Sequence, residues 1–147
     1  MKALSASLAL AAALAFSAPA SAAVQEFGPD NARFTLDVPA GWTATAKELG
    51  VQLTKDDGNT SFQVDVLPTN GRSGQEIADT LAKTLGYECE KNQDGSWLLK
   101  GEEDGTRIAV VVIVDEKEGR FLSVTMAGSD GDGMKQILGT LKDAPAK

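Results

Sequence analysis

From Arg33 onward apolar and polar side chains take turns: Phe34, Leu36 and Val38 alternate with Thr35 and Asp37. Successive side chains of a strand point to opposite faces, so this period predicts a half-buried strand. Pro39-Ala40-Gly41 ends it, because Pro39 has no ladder N–H to give and Gly41 tolerates a positive φ. Thr43 to Glu48 reads as a short, weak strand, and Val51 and Leu53 head another. Asp56-Asp57-Gly58-Asn59 predicts a hairpin turn, since the Asp-Gly pair accepts left-handed backbone. Phe62, Val64 and Val66 then alternate with Gln63 and Asp65 until Pro68 stops the run.

After Thr69-Asn70-Gly71-Arg72 the period changes from two to nearly four. Ile77, Leu81 and Leu85 form one apolar stripe, which predicts an amphipathic helix over Ser73 to Gly86. Ser73 and Glu76 have capping-box spacing, each able to satisfy a free backbone donor at the helix start, and Gly86 is a C-terminal stop. Strand patterns resume at Tyr87–Asn92 and Trp97–Glu102, separated by the turn Gln93-Asp94-Gly95-Ser96, and Asp104-Gly105 marks another turn. Ile108 to Val114 is seven apolar residues without a polar face, rich in β-branched side chains. Such a run predicts a strand covered on both sides rather than a helix. Phe121 to Met126 is its expected antiparallel partner, with Leu122, Val124 and Met126 on one face and Ser123 and Thr125 on the other. Ala127 to Gly133 reads as a flexible connection. A closing helix is expected over Gly133–Lys142, with Met134, Ile137, Leu138 and Leu141 on one face and Asp130 or Asp132 as its cap.

The order strands, helix, strands, helix predicts an α+β domain. The doubly covered strand needs an element on each face. The expectation is therefore an antiparallel β-sheet with amphipathic helices on both faces. No repeat or internal linker divides the chain.

The ends and the composition narrow this picture. Met1-Lys2 is a positive n-region, Leu8 to Phe16 an apolar run too short for a bilayer, and Ala20-Ser21-Ala22 an A-x-A cleavage pattern. Residues 1–22 thus read as a secretory signal peptide, leaving residues 23–147 as a single domain in the periplasm or secreted. No cysteine stands near the cleavage site to carry a lipid, and no membrane span is expected after cleavage. Losing Lys2 with the leader leaves 13 basic against 21 acidic side chains, a net charge of −8. That balance argues against nucleic acid and anionic lipid as partners. Histidine is absent, which removes Ser-His-Asp and Cys-His catalysis and His-ligated metal or haem. The single cysteine, Cys89, excludes an intramolecular disulfide; between Glu88 and Glu90 it reads as an unreactive buried thiol.

Several groups carry potential chemistry. Asp56-Asp57 and Glu102-Glu103-Asp104 are paired carboxylates, but neighbours on a strand face apart, and their glycine-flanked positions read as solvated turns. Asp130-Gly131-Asp132-Gly133 resembles part of a calcium loop, yet the twelfth position from Asp130 is Leu141 rather than an acid. A connection that caps the last helix is the expected role. Thr69 to Glu76, with Arg72, precedes a helix start, a place that can hold an anion, but it has no P-loop lysine or dinucleotide fingerprint and reads as a capped loop. Trp97, alternating with Leu99, reads as core; Trp42 reads as packed over a sheet end. No residue is assigned a catalytic, cofactor-binding or metal-binding role.

The opening motif Phe34-Thr-Leu-Asp-Val-Pro-Ala-Gly-Trp42, followed by a hairpin, a capped helix, a strand block and a closing helix, resembles the Mog/PsbP-like superfamily. That group includes the Ran-binding import factor, extrinsic PsbP-type photosystem subunits and bacterial exported DcrB-like proteins; the exported DcrB-like branch is the nearest in layout. The resemblance runs from Arg33 to Lys142 and implies an α/β/α sandwich. It also implies a non-enzymatic module that binds another protein, here a protein of the cell envelope, with no cofactor. The chain departs from DcrB-like lipoproteins in lacking a lipid-attachment cysteine, and from PsbP-type subunits in lacking a basic docking surface. A small-ligand or envelope stress protein, and an enzyme using carboxylates or a metal, are the other readings. Oligomeric state is left open.

Overall fold

The alternating segments become strands, and the two stripes with helical period become helices. The computed structural model describes residues 23–144, so the leader and its cleavage site lie outside the described residues. In chain order the strands β1 to β5 are Ala23–Phe27, Phe34–Val38, Trp42–Ala46, Gly50–Lys55 and Thr60–Pro68; helix α1 is Gly74–Leu85. Strands β6 to β9 follow at Glu88–Lys91, Trp97–Glu103, Thr106–Asp115 and Arg120–Gly128, then helix α2 at Gly131–Gly139 and strand β10 at Lys142–Asp143.

Seven strands form one antiparallel sheet in the order β3-β4-β5-β9-β8-β7-β6. The two halves of the chain meet where β5 pairs with β9 over their full lengths, Thr60 opposite Gly128 through Pro68 opposite Arg120. Between β7 and β8 the turn is only Asp104-Gly105, both at positive φ (51° and 80°), the geometry that matches strand twist and that the Asp-Gly pair favours.

Strand β8 supplies both cores, as its unbroken apolar run requires. Val110 and Val112 face one side with Trp97, Leu99, Phe121 and the α1 residues Ile77 and Ala78. Val111 faces the other with Val51, Leu53, Phe62, Val64 and Val124. Helix α1 keeps its capping box: Ser73 Oγ accepts from Glu76 N, and Glu76 Oε2 accepts from Ser73 N. Gly86 closes it in the left-handed conformation. The expectation of an α+β domain with a helix on each sheet face is met.

The second face differs from expectation in one respect. Strand β2 does not join the large sheet; it lies in a three-stranded sheet, β1-β2-β10, that covers this face together with α2. The Pro39–Gly41 corner turns the chain so that Phe34, Leu36 and Val38 pack down on the large sheet instead of beside it. Thr140 ties the layers, its Oγ1 accepting from Asp37 N at 2.9 Å and donating to Ile137 O at 2.7 Å. The expected flexible connection is shorter as well: Ala127 and Gly128 finish β9, and α2 begins at Gly131.

Candidate interaction surface

Helix α1 packs on β6, β7 and β8, its core reaches Phe121 of β9 and Leu67 of β5, and most of the remaining face on β3, β4, β5 and β9 is left uncovered by the described residues. The register shows where cover stops. One row of directly opposed residues runs Thr45, Gln52, Gln63 and Thr125 across β3, β4, β5 and β9, then continues as Val110, Leu99 and Cys89 across β8, β7 and β6. A second runs Thr43, Thr54, Ser61, then Ala127 and Ile108. A third passes from Asp65 through Ser123 to Val112 and Trp97. The first and third rows turn apolar at the β9–β8 boundary, where α1 begins, and the second one strand earlier, at Ala127 of β9.

The uncovered part is a platform of short hydroxyl and amide side chains, partly or fully exposed, in a chain where charged residues make up 24%. Its one carboxylate, Asp65, accepts from Gln63 Nε2 at 2.8 Å. Such a surface offers both donors and acceptors without the desolvation cost of bare charge. It suits recognition of a polar macromolecular face more than acid–base work.

The residues singled out from the sequence do not converge on this platform. Trp42 and Trp97 are buried, one in each core, and Lys91 Nζ sits 5.1 Å over the Trp97 ring. Cys89 is half-buried on the outer strand β6, and burial first, then the charges of Asp79 and Glu90, push its thiol pKa up. Glu103 accepts from the Tyr87 hydroxyl at 2.8 Å; burial of the phenol, then this bond, raises the tyrosine pKa. Asp56 accepts from the Thr43 hydroxyl at 3.3 Å, and Asp57 from Asn59 N at 2.8 Å, as turn carboxylates do.

Asp130 is the cap of α2. Its Oδ1 accepts from Gly133 N at 3.0 Å and its Oδ2 pairs with Lys55 Nζ at 2.7 Å. The Lys55 ammonium and then the Gly133 N–H hold its carboxyl below the ordinary range, and Asp130 in turn raises Lys55. With both oxygens engaged, it is committed to capping and pairing. Arg72 Nε donates to Thr69 O at 3.2 Å beside a cleft of about 260 Å³ that Glu116 also lines. There the capping box already uses the Ser73 and Glu76 donors. Among the described residues no three His, Cys, Asp or Glu side chains gather as a metal site would need.

No protein-family model and no curated protein matches the sequence. Solved structures do. The Ran-binding protein Mog1p of Saccharomyces cerevisiae superimposes with a TM-score of 0.51 at 15% identity, over 82% of this chain and 95% of that one. The chain has the fold of Mog1p. A mutant form of Mog1 aligns equally well, TM-score 0.51 at 13% identity over 81% and 95% of the two chains. A protein from Bacteroides thetaiotaomicron VPI-5482 matches at TM-score 0.51 and 14% identity over 76% of this chain; the match spans 45% of that longer protein. The superpositions establish the Mog1-like fold, and identities this low leave function to be argued from the surface.

Proposed function

We propose that this chain is an exported, non-enzymatic protein-binding or accessory module of the cell envelope, of the DcrB-like kind, that recognises its partner through the polar platform on β3, β4, β5 and β9. The observation that carries the reading is the platform itself: the part of one face of a Mog1-like sheet that the described residues leave uncovered, lined by Thr43, Thr45, Gln52, Gln63 and Thr125. Mog1p is a Ran-binding protein, so the fold supports protein binding elsewhere. Export is supported by the charged n-region, the short apolar run and the A-x-A pattern in residues 1–22. A small-ligand role has less support. The clefts beside Arg72 and beside Asp94 measure about 260 and 270 Å³, below the roughly 300 Å³ at which ligand pockets usually begin.

In-cell photo-cross-linking tests both parts. A photoreactive residue at Gln63 should give a discrete protein adduct in the envelope fraction, and one at Lys135, on the exposed side of α2, should not. Intact mass of the recovered protein should correspond to a chain starting at Ala23 or Val24. Equal or absent adducts from the two positions would remove the platform reading, and an uncleaved mass would remove export.

A further inference from the structure

A sheet that does not close has two edges, each a row of unpaired N–H and C=O groups able to accept another strand. The two edges of the large sheet are built differently. Strand β6 is short and charged, with Glu88, Glu90 and Lys91, and Glu90 pairs with Lys100 at 3.4 Å. Strand β3, Trp42-Thr-Ala-Thr-Ala46, has no charge and no proline, and its register with β4 runs unbroken, so no bulge bends it away. In an acidic chain this is an unguarded edge.

The hydrogen bonds show which groups it offers. Lys47 and Gly50 exchange both backbone bonds, at 2.8 and 3.3 Å, and Asp56 N donates to Gly41 O at 2.9 Å. Alternation along an antiparallel ladder then turns the backbone of Thr43 and Thr45 toward β4, and that of Trp42, Ala44 and Ala46 outward. The Trp42 N–H is already held by Pro39 O at 3.2 Å. Among the described residues, what remains without a backbone partner at the edge is the Ala44 and Ala46 N–H groups and the carbonyls of Trp42, Ala44 and Ala46.

We infer that β3 pairs with β3 of a second copy of this chain, antiparallel about a two-fold axis at Ala44. In this register each Ala44 N–H donates to the other copy's Ala44 carbonyl, and each Ala46 N–H to the other copy's Trp42 carbonyl. The Trp42 N–H, held by Pro39 O, faces the other copy's Ala46 carbonyl, which is left to water, so the pairing rests on four ladder bonds. Thr43 stands opposite the other copy's Thr45, a favourable cross-strand pair. The charged Lys47 and Glu48 fall beside the other copy's Gly41 and Ala40, so no like charges meet despite the acidic balance of the chain. The two seven-stranded sheets join, and the polar platforms become continuous. Five residues per edge fall short of the roughly 1,200 Å² of a stable specific interface, so the dimer is reversible and concentration-dependent. This pairing does not rest on the protein-binding reading.

Sedimentation velocity under reducing conditions, over a concentration series, should show a monomer–dimer equilibrium. Thr45→Lys adds an edge charge on the exposed face and should weaken it roughly tenfold or more with the melting temperature nearly unchanged. Register is read by disulfide trapping in a Cys89→Ser background. Opposed residues at a non-hydrogen-bonded pair lie about 4.5 Å apart between Cα atoms, within disulfide range. Mixing Thr43→Cys chains with Thr45→Cys chains should therefore give a linked dimer, and either variant alone should give little. A protein monomeric at every concentration, a dimer indifferent to Thr45→Lys, or trapping no greater in the mixture than in the single variants would each overturn the inference.

Discussion

At the scale of single residues, Asp130 joins three elements: it caps α2, holds Lys55 at the end of β4, and its own N–H reaches Thr60 Oγ1 at 3.4 Å. Its folded-state pKa is depressed, so its stabilisation is present above the unfolded carboxylate value and is lost as pH falls through the folded one. Lys55 is raised, so its share is full below the ordinary lysine value and fades as pH rises past the folded one. Between those ranges the pair is complete. Asp130→Asn should accordingly lower the thermal midpoint by a few degrees at neutral pH, since the amide still caps but no longer pairs. On acidification below the carboxylate range the midpoints of variant and parent should converge, as followed by circular dichroism. A difference that persisted in acid would mean that shape rather than charge holds this corner.

Among elements, the fit of α1 to the sheet is set by Gly74, whose missing side chain leaves room for the Trp97 ring; a Cβ there would overlap the ring and press on Val114. Two effects oppose in Gly74→Ala. Helix propensity favours alanine by up to about 1 kcal/mol, less at a first-turn position. Overpacking a buried contact costs about 1–3 kcal/mol. Packing should win, and the variant should unfold at lower urea with an unchanged slope; a stabilised variant would show that Trp97 can move aside. The sequence disclosed α1 well because its cap, stripe and stop are all local. It also disclosed β8 and its need for two covers. It did not disclose the small sheet, because β1 is mostly exposed and β10 has only two residues, and their pairing with β2 brings Lys142 to Thr35 across most of the chain. The platform was half legible. The small polar residues on alternate positions of β4, β5 and β9 are visible as a solvent side, but where α1 stops is a matter of tertiary packing and appears only in the register.

For the whole molecule, the decisive feature is that one sheet serves two cores. Val110 and Val112 belong to the α1 side, Val111 to the side of α2 and the small sheet, so adjacent residues of β8 tie the two together through a single backbone. Neither core can lose β8 without the other losing its floor. A chain built this way should unfold as one unit even though helices and sheets lie in separate layers. The two tryptophans report on opposite sides: Trp42, 6% exposed, in the α2 core, and Trp97, 8% exposed, in the α1 core. Trp42→Phe and Trp97→Phe each leave one reporter. Within each variant, the urea midpoint from tryptophan fluorescence should coincide with the midpoint from far-ultraviolet circular dichroism, whatever the variant's absolute stability. Had the small sheet and α2 formed an independent layer, Trp42 fluorescence would change before the dichroism of the large sheet. Separate midpoints in the Trp97→Phe variant would therefore contradict the coupling through β8.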